Sequence, residues 1–244
     1  MPGRGRRRRA AAKQSQKAPS HRLKCLSYAI TASLVALALL VSPLCYLLGV
    51  LSSGSANAVS TVALELFFPS IVFSYLFFRN QSTGSVISQL GLSRSTITPK
   101  NIGIALLLFF AIFLVSVLIS LFSTLTNIPL PTNVQQVLGS APLYFLIFSF
   151  LVAPICEEIL FRGFLVPRVG IIISALVFAA LHVGYLSASE FIAAFIFGLM
   201  AGYVFKKTKA LYPSILAHML VNFVTVMSLL YVGMFVHLLQ LVVV

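Results

Sequence analysis

Aspartate is absent from the chain, and glutamate occurs only four times in 244 residues, at Glu65, Glu157, Glu158 and Glu190. Charged residues of either sign make up 9% of the sequence and hydrophobic ones 59%, with a mean hydropathy of +1.04. Soluble domains carry about 25% charged residues, so a water-soluble fold is excluded: it would expose an enormous apolar surface. Cysteine is nearly as scarce. Cys25, Cys45 and Cys156 contain no CxxC pair, and an odd count of three argues against a disulfide framework or a cysteine-rich metal site. Cys156, although next to the glutamates, reads as a small buried apolar residue.

Positive charge is what the chain does have, at a net +13. Nine of its 17 lysines and arginines precede Cys25. Such a tail beside an apolar segment reads as a topology determinant that touches anionic lipid. Arg6 to Arg9 lack the aromatic platform on which bases stack, so no specific nucleic-acid partner is expected. Residues 1–24 show no apolar period and read as a basic, disordered cytosolic tail.

Residues 25–244 read as one membrane-embedded, all-α domain. A spanning helix needs about 20 apolar residues. The sequence predicts spans near 25–51, 58–78, 102–125, 143–165, 170–185 and 189–205. The stretch 211–244 reads as one long tilted helix or as two helices turning near Gly233, for seven or eight spans in all. Ala56-Asn57-Ala58 mimics a signal-peptidase site, but the run before it exceeds an h-region of about 7–15 residues, so the first span is expected to be retained. A short interfacial helix is expected around Val86 to Leu92, and a proline-containing linker over 127–142. With the tail in the cytosol, all 17 basic residues fall on one side of this topology, as the positive-inside rule asks.

Against that background the stretch Pro154-Ile155-Cys156-Glu157-Glu158-Ile159-Leu160-Phe161-Arg162-Gly163 is anomalous. An ionisable group at membrane depth costs roughly 2.5–3.5 kcal/mol on insertion scales and faces a bundle interior or a wet cavity. Glu158 and Arg162 are four apart, share a helix face and can pair. Glu157 lies about 100° round the helix and points elsewhere. Alone, these residues fit a catalytic centre and a structural staple equally well. Two further polar pairs tip the balance: Phe178 with His182, and His218 with Asn222, each four apart in an apolar segment. Buried without partners, such groups cost several kcal/mol each, so three helices are expected to converge and enclose them. A carboxylate and a histidine can take a proton from water, and a second histidine with an amide can hold an oxyanion.

Glu157-Glu158-x-x-x-Arg162, Phe178-x-x-x-His182 and His218-x-x-x-Asn222, in that order, resemble the three motifs of the CPBP family. That family comprises type II CAAX prenyl endopeptidases and bacteriocin-processing or immunity-type membrane proteins. The flanks are similar as well: Pro154, Phe161-Arg162-Gly163, and Tyr212-Pro213-Ser214-Ile215. The resemblance covers about residues 143–224 and implies an intramembrane endopeptidase with its site buried between helices. Carried over, Glu157 and His182 would activate the attacking water, His218 and Asn222 would hold the oxyanion, and Glu158 with Arg162 would organise the site. The substrate implied is a membrane-delivered peptide or lipidated protein, prenylated in the CAAX case. A proteolytically idle immunity or scaffold protein of the same fold is the alternative. The family is often labelled metalloprotease, and zinc on Glu157, His182 and His218 is a second possibility, but the HExxH signature is absent and a metal-free site is favoured. The expected location is the cell membrane with a cytosolic N-terminus. Glu65, in mid-span, and Glu190, at a helix start, are given structural readings, an interior carboxyl and a favourable N-terminal charge.

Overall fold

The computed structural model describes residues 53–79, 82–128, 138–139 and 141–242. The expected tail and first span lie outside the described residues, as does most of the 127–142 linker. Among the described residues there is no strand. The helices are α1 (Ser53–Phe78), α2 (Thr83–Gln89), α3 (Pro99–Thr126), α4 (Leu143–Leu151), α5 (Ala153–Glu158), α6 (Val166–Leu181), α7 (Ala188–Thr208) and α8 (Tyr212–Val242). A π-helical turn, Ile159–Leu165, joins α5 to α6, and a 3-10 turn, His182–Tyr185, follows α6.

Local chemistry sets these limits. Thr98 caps α3 by accepting from the Asn101 N–H, with Pro99 at the first helical position. Ser187 does the same for α7 through the Glu190 N–H. Asn127 and Lys209 end their helices in the left-handed conformation, at φ 54° and 56°. Five stretches among the described residues are long and apolar enough to cross a membrane: 57–78, 99–126, 143–185, 188–208 and 212–231. The expected total of seven or eight goes beyond these five. The last stretch is one continuous helix, α8, without a turn at Gly233. The short helix after the first described span is present as α2, with Val86 buried.

The 143–185 stretch, 43 residues long, does not cross in one pass. At about 1.5 Å per residue a straight helix would separate Phe161 from Ser174 by about 20 Å. Instead, the Ser174 hydroxyl donates to the Phe161 carbonyl at 2.7 Å. The chain reverses at Gly170, whose φ of 85° and ψ of 172° lie in a region reserved for glycine. Two separate expected spans, 143–165 and 170–185, are therefore the arms of one tight hairpin.

The connections carrying Arg79, Arg168 and Lys209 meet at one end of the bundle. Leu211 N–H donates to Gly91 O at 2.9 Å, and Tyr212 Oη donates to Leu92 O at 2.9 Å. Arg79 donates to Tyr75 Oη at 2.9 Å, while the Arg168 guanidinium lies over Phe164 at 3.8 Å and over Tyr75 at 5.6 Å. The outer surface is apolar, with Leu107, Phe110 and Leu125 of α3 among its most exposed side chains.

Small residues let α6 and α7 approach closely. A Cβ on Gly198 would lie 2.8 Å from Ala175 Cβ and 2.9 Å from Ala175 Cα, so the two backbones would have to part. Gly198→Ala should cost about 1–3 kcal/mol, the usual range for overpacking. Thermal unfolding in detergent, followed by circular dichroism, measures it; an unchanged midpoint would refute the close-packing role.

Candidate active site

The site begins where helical regularity fails. Pro154 has no N–H to donate, and α5 starts anew after Val152. Directly after Glu158 the helix widens into the π turn, where the Val166 N–H reaches back five residues to the Phe161 carbonyl. Such wide turns concentrate at functional sites because they re-aim side chains within a helix. Here the turn holds Arg162 inward, packed among aromatic rings.

Glu158 and Arg162 are almost completely buried, at 0% and 1% exposure. Arg162 Nη1 stands 3.0 Å from Glu158 Oε1. The pair is close but poorly aligned, and neither terminal nitrogen of Arg162 makes a hydrogen bond of good geometry. The guanidinium lies over Phe178 at 4.2 Å and over Phe197 at 5.1 Å. A desolvated cation over aromatic faces gains about 2 kcal/mol. Phe178, the first residue of the second motif, thus supports the arginine of the first.

Glu158 has a second partner. The same Oε1 atom is 3.0 Å from His218 Nδ1 on α8. With Nδ1 protonated, this bond orients the ring and directs Nε2 toward Glu157, whose Oε2 lies 3.6 Å away. That separation is too long for a direct hydrogen bond. Phe197 and Phe178 pack on the His218 ring at 4.9 and 5.8 Å between centroids. His218 therefore bridges the two glutamates, one by a hydrogen bond and the other across a short gap. The role of Glu158 as Arg162's partner is only half of its contact set.

His182 ends α6 and donates from Nδ1 to the Phe178 carbonyl at 3.0 Å, which leaves Nε2 for the cavity. Among the described residues no hydrogen bond joins His182 directly to Glu157. Asn222 donates one amide N–H to the Ser149 carbonyl on α4 at 2.9 Å. Its second N–H is uncommitted, since an amide carries two.

Glu157, His182, His218 and Asn222 all line one cavity of about 120 Å³. One water needs only about 10–15 Å³ by a comparable measure, so a reacting carbonyl and a water fit together. Glu158 and Arg162 lie behind this wall. The cavity extends from Glu157 toward Thr61, Leu138, Tyr185 and Glu190, next to connections without lysine or arginine.

Two of those lining residues extend the sequence reading. Glu65, read as a protonated or hydrogen-bonded interior carboxyl, is buried on α1 and lines the same cavity as Glu157. Glu190 does sit in the first turn of α7, but its side chain also lines the cavity. Three of the chain's four acidic residues thus surround one space, and the fourth stands behind it. Scarcity was the available signal: in a chain with four carboxylates, each one had to be accounted for.

Among the described residues no three His, Cys, Asp or Glu side chains are grouped so as to hold a metal ion. His218 Nδ1 is engaged by Glu158.

Residues 139–224 match the family model described as type II CAAX prenyl endopeptidase Rce1-like. No curated protein and no solved structure matches the chain. The matched stretch contains all three motifs and both histidines of the cavity, and excludes α1 with Glu65. Over those residues the chain is similar to the CPBP family of CAAX-type membrane proteases, and its apolar helices make it an integral membrane protein.

Proposed function

From that match and the enclosed glutamate–histidine cavity, we propose that the protein is an intramembrane endopeptidase. It hydrolyses a peptide bond of a membrane-delivered, CAAX-type prenylated substrate with a glutamate-activated water and no metal. The observation that carries this is the meeting of Glu157, His182, His218 and Asn222, from three separate segments, around one cavity.

Glu157 is the general base. Its carboxylate takes a proton from water as the oxygen attacks the scissile carbonyl, and His182 Nε2 holds that water from the opposite wall. The developing oxyanion is received by His218 Nε2–H and the free N–H of Asn222. Donors fixed before reaction act strongly here because the surroundings are apolar. Glu158 keeps His218 in position through Nδ1 and supplies the counter-charge when the ring is protonated. Arg162 balances Glu158 in turn. Collapse of the tetrahedral intermediate breaks the C–N bond, and the proton held by Glu157 leaves on the amine.

Purified protein incubated with prenylated and unmodified peptides tests this reading, with peptide fragments identified by mass spectrometry. Cleavage is expected for prenylated peptides, is lost in His218→Ala, and persists in a strong chelator. Loss of activity with chelator, restored by added zinc, would overturn the metal-free mechanism. Tight binding of every peptide without cleavage would instead identify a scaffold of the same fold.

A further inference from the structure

Glu65 has no place in the three motifs and lies outside the matched residues. It sits in the middle of α1, which packs against α5, and only 7% of it is exposed. It lines the same cavity as Glu157. Counted as carboxylates, Glu65 Oε2 and Glu157 Oε2 both lack a donor. Two unpartnered acceptors facing one cavity can form a hydrogen-bonded pair once one of them carries a proton. Arg162 stands behind the cavity wall, beside Glu158 and over the phenylalanine rings.

The geometry points to Glu65 as a positioning residue that shares one proton with Glu157, so that the pair, rather than Glu157 alone, is the acid–base unit of the proposed hydrolysis. This rests on the endopeptidase reading above. In the resting pair one carboxyl holds the proton and the other is the carboxylate, and the shared hydrogen bond keeps both in orientation. Water gives one proton to Glu157 while its oxygen bonds to the carbonyl carbon, and the pair then holds two protons. Breakage of the C–N bond returns one proton to the leaving nitrogen, and the pair is back at one. One water is consumed, and an acid and an amine are released. Two adjacent carboxyl groups sharing a proton are an established way to run both halves of such a cycle.

The pair is faced by Cys156 beside Glu157, by Tyr185 from the 3-10 turn, and by His218 Nε2 from α8. His182 and Glu190 stand across the cavity, and Tyr144 is the one titratable side chain of α4. None of these is altered by Glu65→Gln, which keeps a hydrogen-bond donor toward Glu157 but cannot release or accept a proton.

Two measurements test the pair. Infrared spectroscopy near neutral pH should show a protonated-carboxyl band in the wild type that disappears in Glu65→Gln and shifts in Glu157→Gln. This readout needs no substrate, so it stands even if the endopeptidase reading fails. Steady-state cleavage by Glu65→Gln should show kcat lowered roughly a hundredfold, the low end of what a positioned proton-transfer group contributes, with KM unchanged. The alkaline fall in its pH–rate profile, where the pair loses the shared proton, should disappear, and Glu65→Asp should restore part of it. A carboxyl band insensitive to Glu157→Gln, or a lowered kcat with the wild-type pH profile, would overturn the proposal. Either result would leave Glu65 a merely structural residue.

Discussion

Replacing Glu157 by glutamine is expected to lower the rate of peptide cleavage by about 10²–10⁴-fold, the range that a general base contributes, while the protein still folds. The second half of that expectation comes from the contacts. Among the described residues Glu157 makes no well-formed hydrogen bond, and His218 Nε2 is 3.6 Å from it. An amide is isosteric with the carboxylate and leaves fewer negative charges in an apolar bundle. Stability should therefore hold or rise slightly while chemistry stops. Initial rates on a cleavable prenylated peptide, beside melting curves of the two proteins in the same detergent, measure both effects. Undiminished cleavage by Glu157→Gln would remove it as the base and turn attention to Glu65 and Glu190, the other carboxyls facing the cavity. Loss of rate together with loss of fold would mean that the carboxylate is structural.

Much of the frame was legible in the sequence because hydropathy and length are local quantities. The spans expected at 58–78, 102–125 and 189–205 fall within α1, α3 and α7 to within a few residues. Each is apolar for a bilayer's thickness and bounded by cap residues or charge. The reversal at Gly170 was legible only as a break, since a sequence shows that a run ends but not that its two arms touch. The Ser174–Phe161 hydrogen bond is what establishes the hairpin.

The site was legible to a different depth. That Glu157, His182, His218 and Asn222 belong together followed from the cost of burying each one alone and from the spacing of the three motifs. The pairing of Glu158 with Arg162 followed from helical geometry, and the structure holds them 3.0 Å apart. The bond from His218 to Glu158 could not follow from either argument, because the two residues are 60 positions apart on different helices. The same holds for Glu65 and Glu190. Their helices carry no other unusual feature, and nothing in local pattern says which face of a uniformly apolar helix turns inward. Only the packing of α1 and α7 around α5 and α8 brings those carboxyls to the cavity. The structural readings they received were reasonable locally and incomplete globally.

The largest stability effect is expected at Arg162. Arg162→Met keeps most of the side chain's volume and its contact with Phe178 and Phe197, so the packing loss is small. What it removes is the cation 3.0 Å from a fully buried carboxylate. Removing one partner of a buried ion pair costs about 3–5 kcal/mol because the other charge is left uncompensated. Glu158 would retain only His218 as a partner. The double variant Glu158→Gln/Arg162→Met has no stranded charge, and its amide oxygen can still accept from His218 Nδ1. It should recover most of the lost stability, giving a strong coupling in a double-mutant cycle of chemical or thermal unfolding in detergent. Its cleavage rate should stay low, since His218 then lacks the negative charge that stabilises its protonated form. A single variant as stable as the wild type would show that the pair carries no stability. A double variant no better than Arg162→Met would show that the guanidinium acts through the aromatic rings and not through Glu158. Recovery of both stability and rate in the double variant would remove Glu158 from the mechanism altogether.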